Sequence, residues 1–355
     1  MFAPGQHIGS DKTTIFLTLT NSGYSRSWNY YSELLRNSEK VEFLRINPKN
    51  TRDFLTMRRN FQKENNFIIM SPSHLLVFQA RIFLGKNIYL DAGWSLFEGS
   101  IISRRNFGFL GFNVLKSYLI DFLAALFAKK IILESYQQKY FYSKLFLVRP
   151  SKCHVIYTGV NELEFKPNTQ YKLPFDLFNN SKIVLFRGKY SKEAGLEVLA
   201  QATNLLASEK ITFWVLSPGM PETLIFSKNT IVMRDYLESP HDLAAVYKAS
   251  SLTLGQLSNH SRLGRTIPHK AYESAFLAKP YLTARTKGIL ELFVEDREIL
   301  CFEPANAFEL AQKIKNFFNN PDEFEGLGQN MRKKYDLDLS QSKLAKQLLE
   351  VIKKS

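Results

Sequence analysis

The segment Arg265-Thr266-Ile267-Pro268-His269-Lys270-Ala271-Tyr272-Glu273-Ser274-Ala275-Phe276-Leu277-Ala278-Lys279-Pro280 constrains the fold more than any other stretch of the chain. Pro268 suits a first helical turn, where its missing N–H costs nothing. Pro280 ends the helix and pushes the residue before it out of the helical region. No charge falls between Glu273 and Lys279, so the spacing predicts a short, mostly buried helix with charge at its front. Short apolar runs flank it, Ser251-Leu252-Thr253-Leu254 before and Tyr281-Leu282-Thr283-Ala284 after. Each reads as a buried parallel strand. Strand, loop, helix, strand presents backbone N–H groups and a positive dipole end at the carboxyl edge of a sheet, a natural diphosphate site.

Other runs repeat the pattern. Strands are expected at Thr13–Thr20, Val41–Ile46, Phe67–Met70, Asn87–Asp91 and Ile131–Ser135, and again at Lys182–Arg187, Thr212–Ser217, Thr230–Met233 and Ile299–Phe302. Strands alternating with helical segments predict an α/β fold with parallel sheets covered on both faces. A chain of 355 residues with 45% hydrophobic content holds enough for two cores. The polar, Pro-containing stretch 161–180 sets the boundary: an N-terminal domain over residues 1–165, a C-terminal domain over 166–340, and a terminal helix over 341–355 expected to return to the N-terminal domain.

Candidate site residues lie at the ends of these strands. Asn21-Ser22-Gly23 forms a glycine loop after the first strand, and Arg26 beyond it either meets a phosphate or is a solvated loop charge. Asp91-Ala92-Gly93-Trp94 pairs a carboxylate with an aromatic ring at a strand's carboxyl end, where such folds bind ligands. Asp91 reads equally as a turn cap beside a packed Trp. Between Val114 and Lys130, the residues Val114, Leu115, Tyr118, Leu119, Phe122, Leu123, Leu126 and Phe127 form the apolar face of an amphipathic helix, expected to pack on its sheet. The preceding loop, Arg104–Phe112, combines two arginines with several phenylalanines and is expected to face a membrane.

The chain resembles the retaining GT-B glycosyltransferases, group 1 or family 4-like. Their signature is Glu, seven residues, Glu, then Ala-x-Ala-x-Gly-x-Pro; Glu273 and Pro280 match it, and Ile267-Pro268-His269-Lys270-Ala271-Tyr272-Glu273 matches the Ile-Pro-x-Lys-x-x-Glu form of its approach. The first Glu is replaced by Arg265 and the Gly by Ala278. Arg187-Gly188-Lys189-Tyr190-Ser191-Lys192-Glu193-Ala194-Gly195 resembles the family's Gly-Arg-x-x-x-Glu-Lys-Gly loop, with Lys189 and Ala194 standing where the family has Arg and Lys. Gly288-Ile289-Leu290-Glu291 is similar to its Gly-x-x-Glu turn.

The resemblance implies two Rossmann-like domains facing across a cleft. It implies sugar transfer, with retention and without a metal, from a nucleotide-sugar donor, UDP- or GDP-linked, and no resident cofactor. Lys189 and Lys270 then carry catalysis by taking up leaving-group charge, and Asp91 orients the acceptor. Gly23, Arg187, Gly188, Lys192, Met233, Tyr236, Gly264, Arg265, Thr266, Glu273, Gly288 and Glu291 bind the nucleotide sugar, Glu273 through the ribose hydroxyls. Two other functions stay open: a degraded relative acting as a binding or scaffold subunit, motivated by Arg265 and Ala194, and a nucleotide-sugar epimerase.

Charge bears on the partner. The formal net charge is +14, and residues 1–165 hold 21 basic against 12 acidic side chains. Such an excess points to an anionic partner. No nucleic-acid-binding module accompanies it, so an anionic membrane surface is expected, with a lipid-linked or polysaccharide acceptor. Cys153 and Cys301 cannot build a disulfide framework, and no Cys/His cluster has zinc spacing. Met1-Phe2-Ala3-Pro4-Gly5 does not read as a secretory signal. The expected location is cytoplasmic, peripheral on the inner membrane face.

Overall fold

The computed structural model describes residues 12–19, 26–47, 51–99, 111–171, 182–235, 237 and 239–353. They form two compact units. The first comprises residues 1–134, 138–156 and 341–355; the second comprises 135–137 and 157–340. The division therefore falls at Ile156/Tyr157 and again at Ser340/Gln341, where the sequence pointed to 165/166 and 340/341.

The first unit contains β1 (Thr14–Thr18), α1 (Arg26–Arg36), β2 (Val41–Arg45), α2 (Thr51–Asn60), β3 (Asn66–Met70), α3 (Leu76–Leu84), β4 (Ile88–Gly93), α4 (Leu96–Glu98), α5 (Phe112–Phe127), β5 (Lys130–Leu133), α6 (Tyr136–Leu145) and β6 (Cys153–Val155). All strand pairs are parallel, in the order β2-β1-β3-β4-β5-β6. Every residue of β1 and β4 is buried, whereas edge strand β2 is buried nowhere along its length. A parallel strand covered on both faces reads as an unbroken apolar run, which is how β1 was legible. Ile15, Leu17, Ile69 and Leu90 share one core cluster with Phe54, Val77 and Ala124. On the opposite face Tyr89 bonds the Ile352 carbonyl of α13 (Gln341–Lys353), which packs against α1.

Helix α5 forms as expected. Val114 of its expected apolar face is buried and Tyr118, Phe122 and Phe127 pack on the core, but the helix is rotated so that the rest of that face is not buried. Val114, Asp121, Ala124 and Ala125 are its buried residues, while Leu115, Leu119, Leu123 and Leu126 are exposed. The cause is Asp121: its carboxylate accepts the Phe97 N–H at 2.9 Å at the start of α4. The neighbouring alanines let the helix approach the sheet closely, and the leucines are left outside.

The second unit contains β7 (Ile183–Arg187), α7 (Leu196–Leu205), β8 (Thr212–Leu216), β9 (Thr230–Met233), α8 (Pro240–Ala249), β10 (Leu252–Leu254), α9 (His269–Phe276), β11 (Tyr281–Ala284), α10 (Lys287–Leu290), β12 (Leu300–Phe302), α11 (Ala307–Asn319) and α12 (Leu327–Lys334). Its six parallel strands run β12-β11-β10-β7-β8-β9. Leu185, Trp214, Tyr272 and Tyr281 share one core cluster, and Val184, Phe186, Phe213 and Leu254 share the other. The alternation along β7 (Val184 and Phe186 to one cluster, Ile183 and Leu185 to the other) is the two-residue period of a strand between two helical layers.

Candidate functional site

In the second unit the chain winds outward from β7 in one direction and from β10 in the other. β7 and β10 are hydrogen-bonded neighbours, so the sheet's topological switch point lies between their carboxyl ends, where open α/β sheets bind ligands. Both strands end in glycine there: Arg187-Gly188 after β7, and Gly255 directly after β10. A Cβ at Gly255 would sit 2.2 Å from the Thr283 hydroxyl, so only glycine fits this close to β11. Gly188 has a φ of +149°, a conformation open to glycine.

Helix α9 delivers its charges to this point. Residues Lys270 to Ala275 are all buried. The Lys270 Nζ donates to the Gly255 carbonyl at 2.9 Å and lies 4.0 Å from the centroid of the Phe186 ring. It is also 3.6 Å from where a Gly188 Cβ would be. Burial, then the Arg187 charge, push the Lys270 amine well below its ordinary pKa.

One turn on, the Glu273 carboxylate is fully buried. It accepts from Arg187 on both oxygens, Nε at 2.9 Å, from the Tyr247 hydroxyl at 2.6 Å, and pairs with His269 Nδ1 at 3.1 Å. Burial alone would raise its pKa, but Arg187 and His269 hold it far below the usual carboxylate range. The expectation that Glu273 binds a ribose meets a carboxylate whose oxygens are already engaged within the protein. Those oxygens are committed to Arg187, Tyr247 and His269, and what Glu273 positions is the guanidinium of Arg187, whose side chain is 25% exposed.

The loop after β7 carries Lys189 and Lys192, both exposed. It is pinned to the segment after β10. Arg262 pairs with Glu193 at 2.9 Å, and the Ser258 hydroxyl donates to the Glu193 carbonyl at 3.0 Å. Gly195, at φ +69°, would bring a Cβ to 2.7 Å from the Ser258 amide. Ala194 is buried in the core, so no charge from that position reaches the loop. A 3-10 turn, Ser261–Gly264, leads to half-buried Arg265 and buried Thr266. Around Gly264 there is open space, while a Cβ on Gly288 would meet the Thr266 carbonyl at 2.5 Å and that of Leu263 at 2.7 Å. Gly288 therefore acts by letting α10 close against the turn. Sequence reasoning singled out Lys270, Arg187 and Gly188 but missed Gly255, Tyr247, Ser258 and the Glu193–Arg262 pair. The signal for Gly255 was present, a glycine at the end of a buried run matching Gly188 after its own.

Four expected contributors stand elsewhere. Asp91 is fully buried, ion-paired with Arg26 Nε at 3.1 Å and bonded by the Ser27 hydroxyl. Burial raises its pKa, opposed by Arg26 and Ser27. Asp91, expected to orient the acceptor, is closed off from solvent and held by Arg26 and Ser27. Arg26 is likewise committed, bonding the Ile156 carbonyl at 2.7 Å. Glu291 accepts from the N–H groups of Tyr136 at 2.8 Å and Gln137 at 3.0 Å, residues that fall with it in the second unit. Met233 is half-buried, its sulfur 3.3 Å from the Trp214 indole nitrogen. Gly23, Tyr236 and Arg104 to Leu110 of the basic loop lie outside the described residues. Among the described residues no group of three His, Cys, Asp or Glu could hold a metal ion, and no helix is long and apolar enough to cross a membrane.

Residues 198–350 match the family model described as Glycosyl transferase-like. No curated protein matches the chain. Among solved structures it is similar to Anabaena Alr3699/HepE in complex with UDP-glucose, with a TM-score of 0.68 at 14% identity over 97% of this chain and 100% of that one. It is also similar to the sucrose-phosphate synthase of Thermosynechococcus elongatus, with a TM-score of 0.68, 13% identity, and 97% and 99% coverage. A glycosyltransferase from Rickettsia africae gives 0.64 at 16% identity over 97% and 99%. The chain thus has the GT-B fold, two Rossmann-like domains each built on a six-stranded parallel sheet.

Proposed function

We propose that the protein transfers a hexosyl group from a nucleoside-diphosphate sugar to an acceptor hydroxyl, with the nucleotide held by the second unit. The observation that carries this is the cationic switch point: Lys270 against Gly255, and Arg187 fixed by Glu273, beside two strand ends kept bare by glycine. The matched stretch, residues 198–350, includes α9 and supports the same reading.

In this reading the sugar C1–oxygen bond breaks with its electron pair going to the diphosphate. The acceptor oxygen bonds C1 from the face the diphosphate leaves, which retains configuration, and the acceptor proton passes to the departing phosphate oxygen. Charge developing on that oxygen is what the site must stabilise, and preorganised cations in a water-poor site do so most strongly. Lys270 and Arg187 sit at the strand ends; Lys189 and Lys192 lie exposed on the loop after β7. Protein cations then serve in place of a metal. The donor is UDP- or GDP-linked, and the acceptor is lipid-linked or a glycan at a membrane surface, consistent with the basic balance of residues 1–165.

Turnover of a panel of UDP- and GDP-sugars by the purified protein, alongside calorimetry with UDP and GDP, tests the proposal. Transfer or slow donor hydrolysis with one base is expected. Absence of any nucleotide binding overturns it. Tight nucleotide binding with no turnover of any donor supports the alternative of a binding subunit, which buried Ala194 favours because the loop has one cation fewer than the family pattern.

A further inference from the structure

Helix α5 exposes what an amphipathic helix ordinarily hides. Phe112, Leu115, Leu119, Leu123 and Leu126 are 81, 55, 47, 39 and 58% exposed. Their spacings of three or four residues keep them on one face of the helix. Beyond the carboxyl end of α5 the stripe runs into a cavity of about 650 Å³. Phe122, Ala125, Phe146 and Leu147 line it, with Leu147 87% exposed. Monomeric proteins rarely leave so continuous an apolar surface without a use for it.

The charges around it choose the occupant. Residues 99–161 hold nine Lys or Arg and only two acidic side chains, Asp121 and Glu134. Asp121 is fully buried on the opposite face of α5. Lys129, Lys130, Arg149 and Lys152 line the cavity, and Lys116 is exposed next to the stripe. The Lys152 ammonium lies 2.7 Å from the Ala125 carbonyl, so it adds charge where α5 ends. A second copy of this chain docking by two-fold symmetry would bring that basic rim against itself, and like-charge juxtaposition opposes it. An anionic lipid surface fits both features. The apolar face enters the headgroup boundary, and exposed Lys116 and Arg149 at its edge meet the phosphates.

We propose that the exposed face of α5, with the basic cavity at its carboxyl end, docks the first unit on an anionic bilayer. This names the surface toward which a membrane-bound acceptor would draw the protein, and in that respect rests on the function proposed above. The test uses no sugar donor, so the two readings fail separately.

Co-sedimentation of the full chain with phosphatidylcholine vesicles, with and without phosphatidylglycerol, is the measurement. Binding to the anionic vesicles is expected, falling as salt rises. A triple variant, Leu115→Ser, Leu119→Ser and Leu126→Ser, alters only exposed positions. It is expected to bind those vesicles at least tenfold more weakly while keeping the wild-type circular dichroism and UDP affinity. Lys116→Gln with Arg149→Gln is expected to flatten the salt dependence. Equal binding to neutral and anionic vesicles, or no effect of the triple variant, overturns the proposal. So does a wild-type dimer that the triple variant converts to monomer, which would make the face a self-association surface.

Discussion

Lys270 carries an ammonium group to a place where burial and the Arg187 charge both work against it. A lysine whose folded pKa lies below its unfolded value is a net cost below that folded pKa, and the cost fades as pH rises toward 10.5. Lys270→Met keeps the stem and removes the charge. Urea unfolding is expected to show the variant at least as stable as wild type at neutral pH, and flatter toward alkaline pH. UDP affinity, by calorimetry, is expected to drop tenfold or more, about 1.4 kcal/mol. A variant that loses stability and keeps its UDP affinity would assign Lys270 to the core alone. His74 and Asp121 are a second pair whose signs can be worked out. Both are buried, Nε2 3.8 Å from Oδ1. Burial lowers His74 to about 4 and raises Asp121 to about 7. Between those values the unfolded chain has the extra proton on His74, so that residue makes stability rise with pH. The folded chain has the extra proton on Asp121, which makes stability fall with pH. In wild type the two slopes oppose each other. His74→Asn is expected to leave only the falling one, up to about 1.4 kcal/mol per pH unit between pH 4 and 7, in a series of chemical denaturations. A mutant whose stability rises across that window would refute the assignment.

At the scale of elements, α10 is held against the turn that precedes α9 by the absence of a single carbon. Gly288→Ala would force a Cβ to 2.5 Å from the Thr266 carbonyl, and backbone cannot move aside as a side-chain tip can. A loss of about 1–3 kcal/mol in unfolding free energy is expected, with weaker UDP binding because residues 263–266 shift. If thermal unfolding is unchanged, the contact is looser than described. The strands were legible because each parallel strand is a short apolar run ended by glycine or a polar residue, which a single sequence displays. What single residues do was less legible. The apolar count along α5 put Leu115 and Leu119 inside, but one carboxylate, Asp121, and its bond to the Phe97 N–H decided the orientation. Glu273 was located through its signature, yet its actual partners come from β7 and α8, and that pairing is visible only after the sheet has formed. Asp91 reads as a ligand carboxylate until Arg26 is brought beside it. Buried charges find partners remote in sequence, whereas local patterns predict only neighbours.

At the scale of the whole molecule, the chain leaves its first unit at Ile156 and returns to it at Gln341. Helix α13 is thus covalently an extension of the second unit and energetically part of the first. Leu344, Leu348 and Ile352 are 1, 0 and 4% exposed. The Gln341 side chain donates to the Asn29 carbonyl at 2.8 Å and to the Ser32 hydroxyl at 2.9 Å. Each of the three apolar side chains contributes about 1.5–3 kcal/mol, and their sum approaches the roughly 5–15 kcal/mol by which a whole domain is stable. Ending the chain at Ser340 is therefore expected to unfold the first unit. The second unit keeps both of its core clusters, neither of which includes a residue of α13. The truncated protein is expected to lose part of its helical circular dichroism and to be cut by protease within residues 1–156. It should retain a thermal transition raised by UDP, because Lys270, Arg187 and Gly255 all belong to the unit that survives. A truncated chain that melts in one transition at the wild-type temperature would show that α13 adds little. One that loses UDP binding together with the first unit would show that the nucleotide site needs both.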